Sequence, residues 1–170
     1  MSDLSLSGFA GALVAGARPN LFKVEIGNLG NKIQFMAKAT TLPGADLGEI
    51  LVPYQGREYP IPGNRTFQEW EITVINDIDF GIRNLLEEWM AQINGHETNV
   101  GESAIATNMK DGMVTQLGRD GAELKHYQFL DMWPKTIAPV ELAWDSNDTI
   151  SEFQTTFRYS RWLSPEAATN

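Results

Sequence analysis

The chain has 170 residues, of which 42% are hydrophobic, enough for one domain with a real core and too many for intrinsic disorder. No apolar run approaches the roughly 18 residues of a membrane-spanning helix. The formal net charge of −9, spread along the length, disfavours electrostatic binding to nucleic acid or anionic lipid; the absence of cysteine removes disulfides and thiolate metal sites and fits a reducing cytoplasm.

Residues 1–17 are rich in Gly, Ala and Ser without a sustained period, and are expected to form a flexible N-terminal segment that orders only against a neighbour. Asp3 stands where a secretory signal carries Lys or Arg, so no signal peptide is expected. The domain proper spans residues 18–163, and residues 164–170 read as a frayed C-terminal tail. Phe22, Val24 and Ile26 alternate with Lys23 and Glu25, a turn over residues 27–31 follows, and Ile33, Phe35 and Ala37 alternate again. That pattern predicts a hairpin. Residues 40–64 carry four prolines and four glycines, with short extended pieces at 49–52 and 57–61. They read as an excursion with edge-strand character.

Two periodicities then meet without a gap. From Thr66 to Ile75 the period is two, with Trp70, Ile72 and Val74 on one face and Glu69, Glu71 and Thr73 on the other, as in a half-buried strand. Ile82, Leu85, Leu86, Trp89, Met90 and Ile93 follow as one helical stripe that can cover the strand's apolar face. Asp77 or Asp79 is the expected N-cap, and Gly95 the expected left-handed residue after the helix. Residues 96–111 are polar and aperiodic, a loop of a length usually kept for binding. A second hairpin is predicted around Asp120-Gly121, with Trp133-Pro134 ending it. A third places Val140, Leu142 and Trp144 on one arm and a strand bearing Phe153, Phe157 and Tyr159 on the other, whose second face shows Glu152, Gln154, Thr156 and Arg158.

Seven or more strands with one α-helix are more sheet than the helix can cover, so the fold class is mainly β, two packed antiparallel sheets forming a sandwich or barrel-like body. The expected core anchors are Trp70, Ile72, Val74, Leu85, Leu86, Trp89 and Trp144. Proline-interrupted edges remain, and natural proteins resolve such edges by closure or by pairing with another chain.

An enzyme is not expected. No Gly-x-Ser-x-Gly elbow surrounds any serine, and His96 and His126 are far apart in the chain, without cysteines to complete a metal site. Glu87-Glu88 is more simply a solvated helix face than a carboxylate dyad, and the glycines at 8–16 lack the strand and lysine of a phosphate loop. No cofactor is implied. A carbohydrate-binding sandwich would use Trp70, Trp133, Trp144 and Trp162 as stacking platforms, but Trp70 and Trp144 fall on apolar strand faces, where core is the simpler reading.

Five segments in order, ARPNLFKVEI, KATTLPG, NRTFQEWEITVIND, MWP at 132–134 and LAWDSNDTISEF, resemble the tail tube protein of contractile-tailed bacteriophages, over residues 17 to 162. The resemblance implies a two-sheet domain with one helix, assembled into hexameric rings that stack into the inner tube of a virion tail. It also implies sheath, baseplate and tail-terminator partners, a tape measure protein and DNA in the lumen without sequence-specific binding, and synthesis in the host cytoplasm. The tube of a phage-derived contractile injection system is the alternative. A conduit for DNA must surround a polyanion without holding it, and an acidic lining does so by repulsion. The lumen candidates are two polar strand faces, Glu69, Glu71 and Thr73, or Glu152, Gln154 and Thr156; the sequence leaves the choice open.

Overall fold

Apolar residues at every second position give each strand one face to bury, and here two sheets bury those faces against each other while sharing a strand. The computed structural model describes residues 17–27, 29–97, 100–101, 105–146 and 149–165. The strands are β1 (Phe22–Ile26), β2 (Ala37–Thr40), β3 (Ala45–Tyr54), β4 (Arg57–Phe67), β5 (Trp70–Ile75), β6 (Lys110–Leu117), β7 (Glu123–Ile137), β8 (Glu152–Arg158) and β9 (Arg161–Leu163). Among the described residues three helices accompany them: α1 (Ile33–Met36), α2 (Gly81–Ile93) and α3 (Ile105–Asn108).

One sheet has the order β1-β6-β7-β9 and the other β2-β5-β8-β7, all antiparallel. The first part of β7 pairs with β6 and β9, and from Trp133 onward it pairs with β8. Register irregularities opposite Lys110 and after Pro134, with Asp131 at φ 54°, let the strand bend from one sheet into the other. The core lies between the sheets. Val24, Ile26, Val114, Phe129 and Met132 meet Trp70, Ile72, Val74, Phe153 and Phe157, all buried. The Trp70 and Phe129 rings stack at 4.1 Å across the gap, and the Trp70 indole N–H donates to the Thr41 carbonyl at 2.9 Å. A fold that is mainly β, with two packed sheets and one long helix, is therefore what the chain adopts.

Helix α2 lays Ile82, Leu86 and Trp89 onto this core. The Trp89 ring approaches Phe157 at 6.2 Å, and its N–H donates to the Asn108 carbonyl at 2.7 Å. Leu85, expected in the core, is 38% exposed: at about 100° per residue it stands some 60° off Ile82, on the shoulder of the stripe. The cap is also different. Phe80 occupies the N-cap position with left-handed φ 50°, and the Asp77 carboxylate instead accepts the Ile78 N–H at 2.7 Å and pairs with Lys32. The helix ends on an extended Asn94, so Gly95 supplies no left-handed terminus.

The first predicted hairpin does not form. β1 pairs with β6 and β2 with β5, and residues 27–36 carry the chain from one sheet to the other, with Leu29 and Ile33 plugged into the core and Phe35 exposed on α1. Nor does the arm 140–144 form: β8 already has β5 and β7 on its two edges, so no ladder is left for it. Trp144, expected as a core anchor, is fully exposed in consequence. The hairpin at Asp120-Gly121 does form, around a five-residue loop, 118–122, with Gly121 at φ 80°. Trp133-Pro134 does not end β7, which runs on to Ile137. The expected N-terminal segment and C-terminal tail fall almost wholly outside the described residues.

Because Trp89 is buried against the subunit's own sheet, Trp89→Ala should destabilise the unassembled subunit by about 3–5 kcal/mol in chemical denaturation. Unchanged subunit stability with a failure confined to assembly would contradict this packing.

Candidate channel and assembly surfaces

With Trp70, Ile72 and Val74 turned inward, Glu71 and Thr73 must point away from the core. The register of β5 and β8 sets Glu71 opposite Thr156 and Thr73 opposite Gln154, so the two rows named as alternatives are one continuous face. The Gln154 amide donates to the Glu71 carboxylate at 2.8 Å. Glu69, just ahead of β5, joins the same face by pairing with Lys135 of β7, and Arg158 approaches it at 3.4 Å. Glu152 pairs with Lys38 of β2.

This face is not acidic. Three carboxylates, Glu69, Glu71 and Glu152, stand among three cations, Lys38, Lys135 and Arg158, so it is charge-compensated within a chain of net charge −9. Arg158 was legible on β8 beside Glu152, but Lys38 and Lys135 arrive from β2 and β7, which only the sheet order brings alongside, and with them the expected acidic lining becomes a balanced one. The hydrogen bond from Lys135, aided by the charges of Lys135 and Arg158, holds the Glu69 carboxyl below its ordinary value of 4.5 against a smaller upward push from desolvation.

Both ends of this four-stranded sheet are open. β2 pairs only with β5, and residues 133–137 of β7 pair only with β8 among the described strands. A second surface is the hairpin of β3 and β4, a regular two-stranded arm where only short extended pieces were expected. It stands apart from the sandwich with Leu47, Ile50, Leu51, Val52, Tyr54, Tyr59 and Ile61 exposed. Its base is fixed: Phe67 meets Trp162 edge-on and Tyr159 at a tilt, and the Trp162 N–H donates to the Gly44 carbonyl at 3.2 Å. The arm's strands pass close at Gly63, where a Cβ would lie 3.1 Å from the Gly48 carbonyl oxygen and the backbone would have to give by a few tenths of an ångström. A third surface is the segment bearing exposed Leu142, Trp144 and Ile150. Sequence periodicity missed the arm's surface because prolines at 53, 60 and 62 argue against strands, and a free-standing hairpin tolerates them on its unpaired sides.

The tryptophans do not assemble a sugar platform. Trp70 is buried, and Trp162 is packed against Phe67 and Tyr127. His96 is exposed after α2 and His126 half-buried on β7.

A profile of the family described as "Phage tail tube protein" matches residues 14–164. The tail tube protein gp19 of Enterobacteria phage T4 is 34% identical over 147 residues, covering 86% of this chain and 90% of the relative. The chain belongs to the phage tail tube protein family. The tail tube protein of Serratia phage KSP90 is a further relative, 33% identical over 129 residues, or 76% of this chain and 73% of that one. Among solved structures, the tube-terminating cap of the anti-feeding prophage superposes with a TM-score of 0.68 over 88% of this chain and 91% of that one, at 17% identity. A chain of the sheath-tube complex of the extracellular contractile injection system PVC gives 0.58 over 95% and 98%, at 18% identity. These two likenesses share the fold. As a tail tube protein of the contractile phage type, the chain is a structural component of the virion tail and not an enzyme.

Ion pairing at Glu69 has a measurable sign. A carboxylate whose folded value is depressed adds stability above its unfolded value and loses it as the pH falls through the folded one, so the contribution of Glu69 is complete above about 4.5 and fades below. Carbon-detected titration of the Glu69 carboxyl should give a midpoint below 4.5; a midpoint at or above it would contradict the pairing with Lys135 and Arg158.

Proposed function

We propose that six copies close into a ring by joining the open edge of β2 in one subunit to the open end of β7 in the next, and that the charge-compensated face of β5 and β8 lines the channel. The observation that carries this reading is the sheet β2-β5-β8-β7 itself: one face is polar, the other is core, and neither edge has a partner among the described strands. An even number of antiparallel strands also leaves its two edge strands pointing in opposite directions. Identical subunits related by rotation then continue the antiparallel order without a break, and closure removes both edges of this sheet.

Rings stack into the inner tube of the tail, which conducts DNA into the host during ejection, with sheath outside and baseplate and tail-terminator proteins at its ends. The tape measure protein and DNA occupy the lumen without sequence-specific contacts, and the subunit is made in the host cytoplasm before assembly. The exposed apolar arm of β3 and β4 supports stacking, since an isolated hairpin with apolar side chains in water gains stability by laying them on a neighbour. Docking orders the arm on its neighbour in the same step. At roughly 1–2 kcal/mol per fixed residue, that ordering opposes spontaneous growth and favours addition to a ring that already presents ordered partners. The shared fold of contractile injection systems supports the second reading, a tube of such a machine; the 34% identity to phage proteins against 18% or less to those systems favours the virion.

Two measurements test the reading. Glu71→Lys with Glu152→Lys should leave folding within about 0.5 kcal/mol, since both carboxylates are exposed. Tubes should form in electron micrographs, yet DNA delivery by the assembled particles should fall, because lysines repeated along the lumen attract phosphate. Normal delivery from well-formed tubes would contradict the channel assignment. Hydrogen exchange should be fast in the arm, residues 45–67, of free subunits and slow in tubes; equal, strong protection in both states would contradict its part in stacking.

A further inference from the structure

Two cations of the channel face converge on one carboxylate. Glu69 precedes β5, Lys135 lies on β7 and Arg158 ends β8, so three segments of the sheet bring these side chains together. The Lys135 ammonium donates to Oε1 of Glu69, and Nη1 of Arg158 stands 3.4 Å from the same oxygen. Glu71, two residues on, is engaged differently: its carboxylate takes the neutral amide of Gln154 at 2.8 Å. Glu152 holds a single cation, Lys38. All three basic side chains on this face thus have a carboxylate partner, and Glu69 alone serves two.

We propose that Glu69 is a masking residue, whose carboxylate occupies Lys135 and Arg158 so that the phosphates of passing DNA meet no free pair of cations. The proposal rests on the channel reading above and names the partner chemistry that the face excludes. The physical case has two sides. A lining of carboxylates alone would repel itself wherever six copies meet, so cations on the face ease closure. Free cations would bind phosphate and release its counterions, and every subunit along the tube would repeat the attachment. A carboxylate shared between two cations serves both demands: with Glu71 on the same face it balances the charges of Lys135 and Arg158, and it engages both cations so that neither is left free to grip the strand.

The test compares Glu69→Gln with Glu71→Gln. Both remove one negative charge from the same face, and only the first frees cations. The full-length unassembled subunit is titrated with a short DNA duplex at low ionic strength and followed by amide resonances near Lys135 and Arg158. The Glu69→Gln subunit should respond at least several-fold more strongly than the Glu71→Gln subunit. Its affinity should fall with salt as for about two added phosphate contacts, a slope steeper by roughly 1.8 in log K against log salt. Adding Lys135→Gln and Arg158→Gln to Glu69→Gln should abolish the response. Equal responses from the two single variants, or a response that survives loss of both cations, would overturn the mask. If the glutamine variant does not fold, Glu69→Ala takes its place under the same criteria. Assembled particles form the second arm: DNA release should slow in Glu69→Gln particles and not in Glu71→Gln ones, most at low salt. Normal release from well-formed Glu69→Gln tubes, after a positive subunit titration, would overturn the channel reading and not the ion pairing.

Discussion

The stacking of Trp70 on Phe129 joins the two sheets at the point on which the rest of the subunit depends. Trp70 opens β5, the strand that aims the polar face outward, and Phe129 lies on β7 shortly before that strand crosses from one sheet to the other. An aromatic pair of this kind adds about 0.5–1.5 kcal/mol beyond its burial. Its larger effect is on register. Turning β5 by one residue would expose Trp70, Ile72 and Val74 and bury Glu71 and Thr73, so the core contact fixes which side chains reach the outer face.

From that constraint follow the two properties that an assembling subunit needs. The outer face holds equal numbers of carboxylates and cations in contact, which keeps it hydrated without a strong field of either sign. The sheet that carries the face ends in two unpaired edges, while the opposite sheet is turned away from it behind the core. Stability is therefore concentrated in the sandwich, and the assembly elements, β2, the end of β7 and the arm of β3 and β4, are short, edge-like or exposed. Such elements contribute little to the free subunit, and in the proposed ring and stack they gain partners.

Much of this was legible in the sequence, and the failures in strand pairing share one cause. The alternation through Trp70, Ile72 and Val74, the helical stripe through Leu86 and Trp89, and the resemblance of five ordered segments fixed the fold class and the family. What periodicity does not carry is which strand lies beside which. Ile33, Phe35 and Ala37 alternate like a strand, yet Leu29 and Ile33 are drawn into the core and Ile33–Met36 become a turn of helix. Val140, Leu142 and Trp144 alternate equally well, but β8 has no free edge for them. The polar face of β5 and β8 was split into two candidates for the same reason, and its charge balance was missed because Lys38 and Lys135 are distant in sequence from the glutamates they neutralise.

The central claim is that β2 of one subunit pairs with the end of β7 of the next. Because the chain has no cysteine, introduced pairs form the only disulfides. Ala39, opposite Thr73, and Thr136, opposite Thr156, face the same side of their sheet, so a scan of paired cysteines across residues 37–40 and 133–137, beginning with Ala39→Cys and Thr136→Cys, probes the junction directly. Oxidised tubes should run on a denaturing, non-reducing gel as a ladder from dimer to hexamer, and tubes carrying only one member of a pair should run as monomers. Well-formed tubes in which no pair across these two strands cross-links would contradict the account.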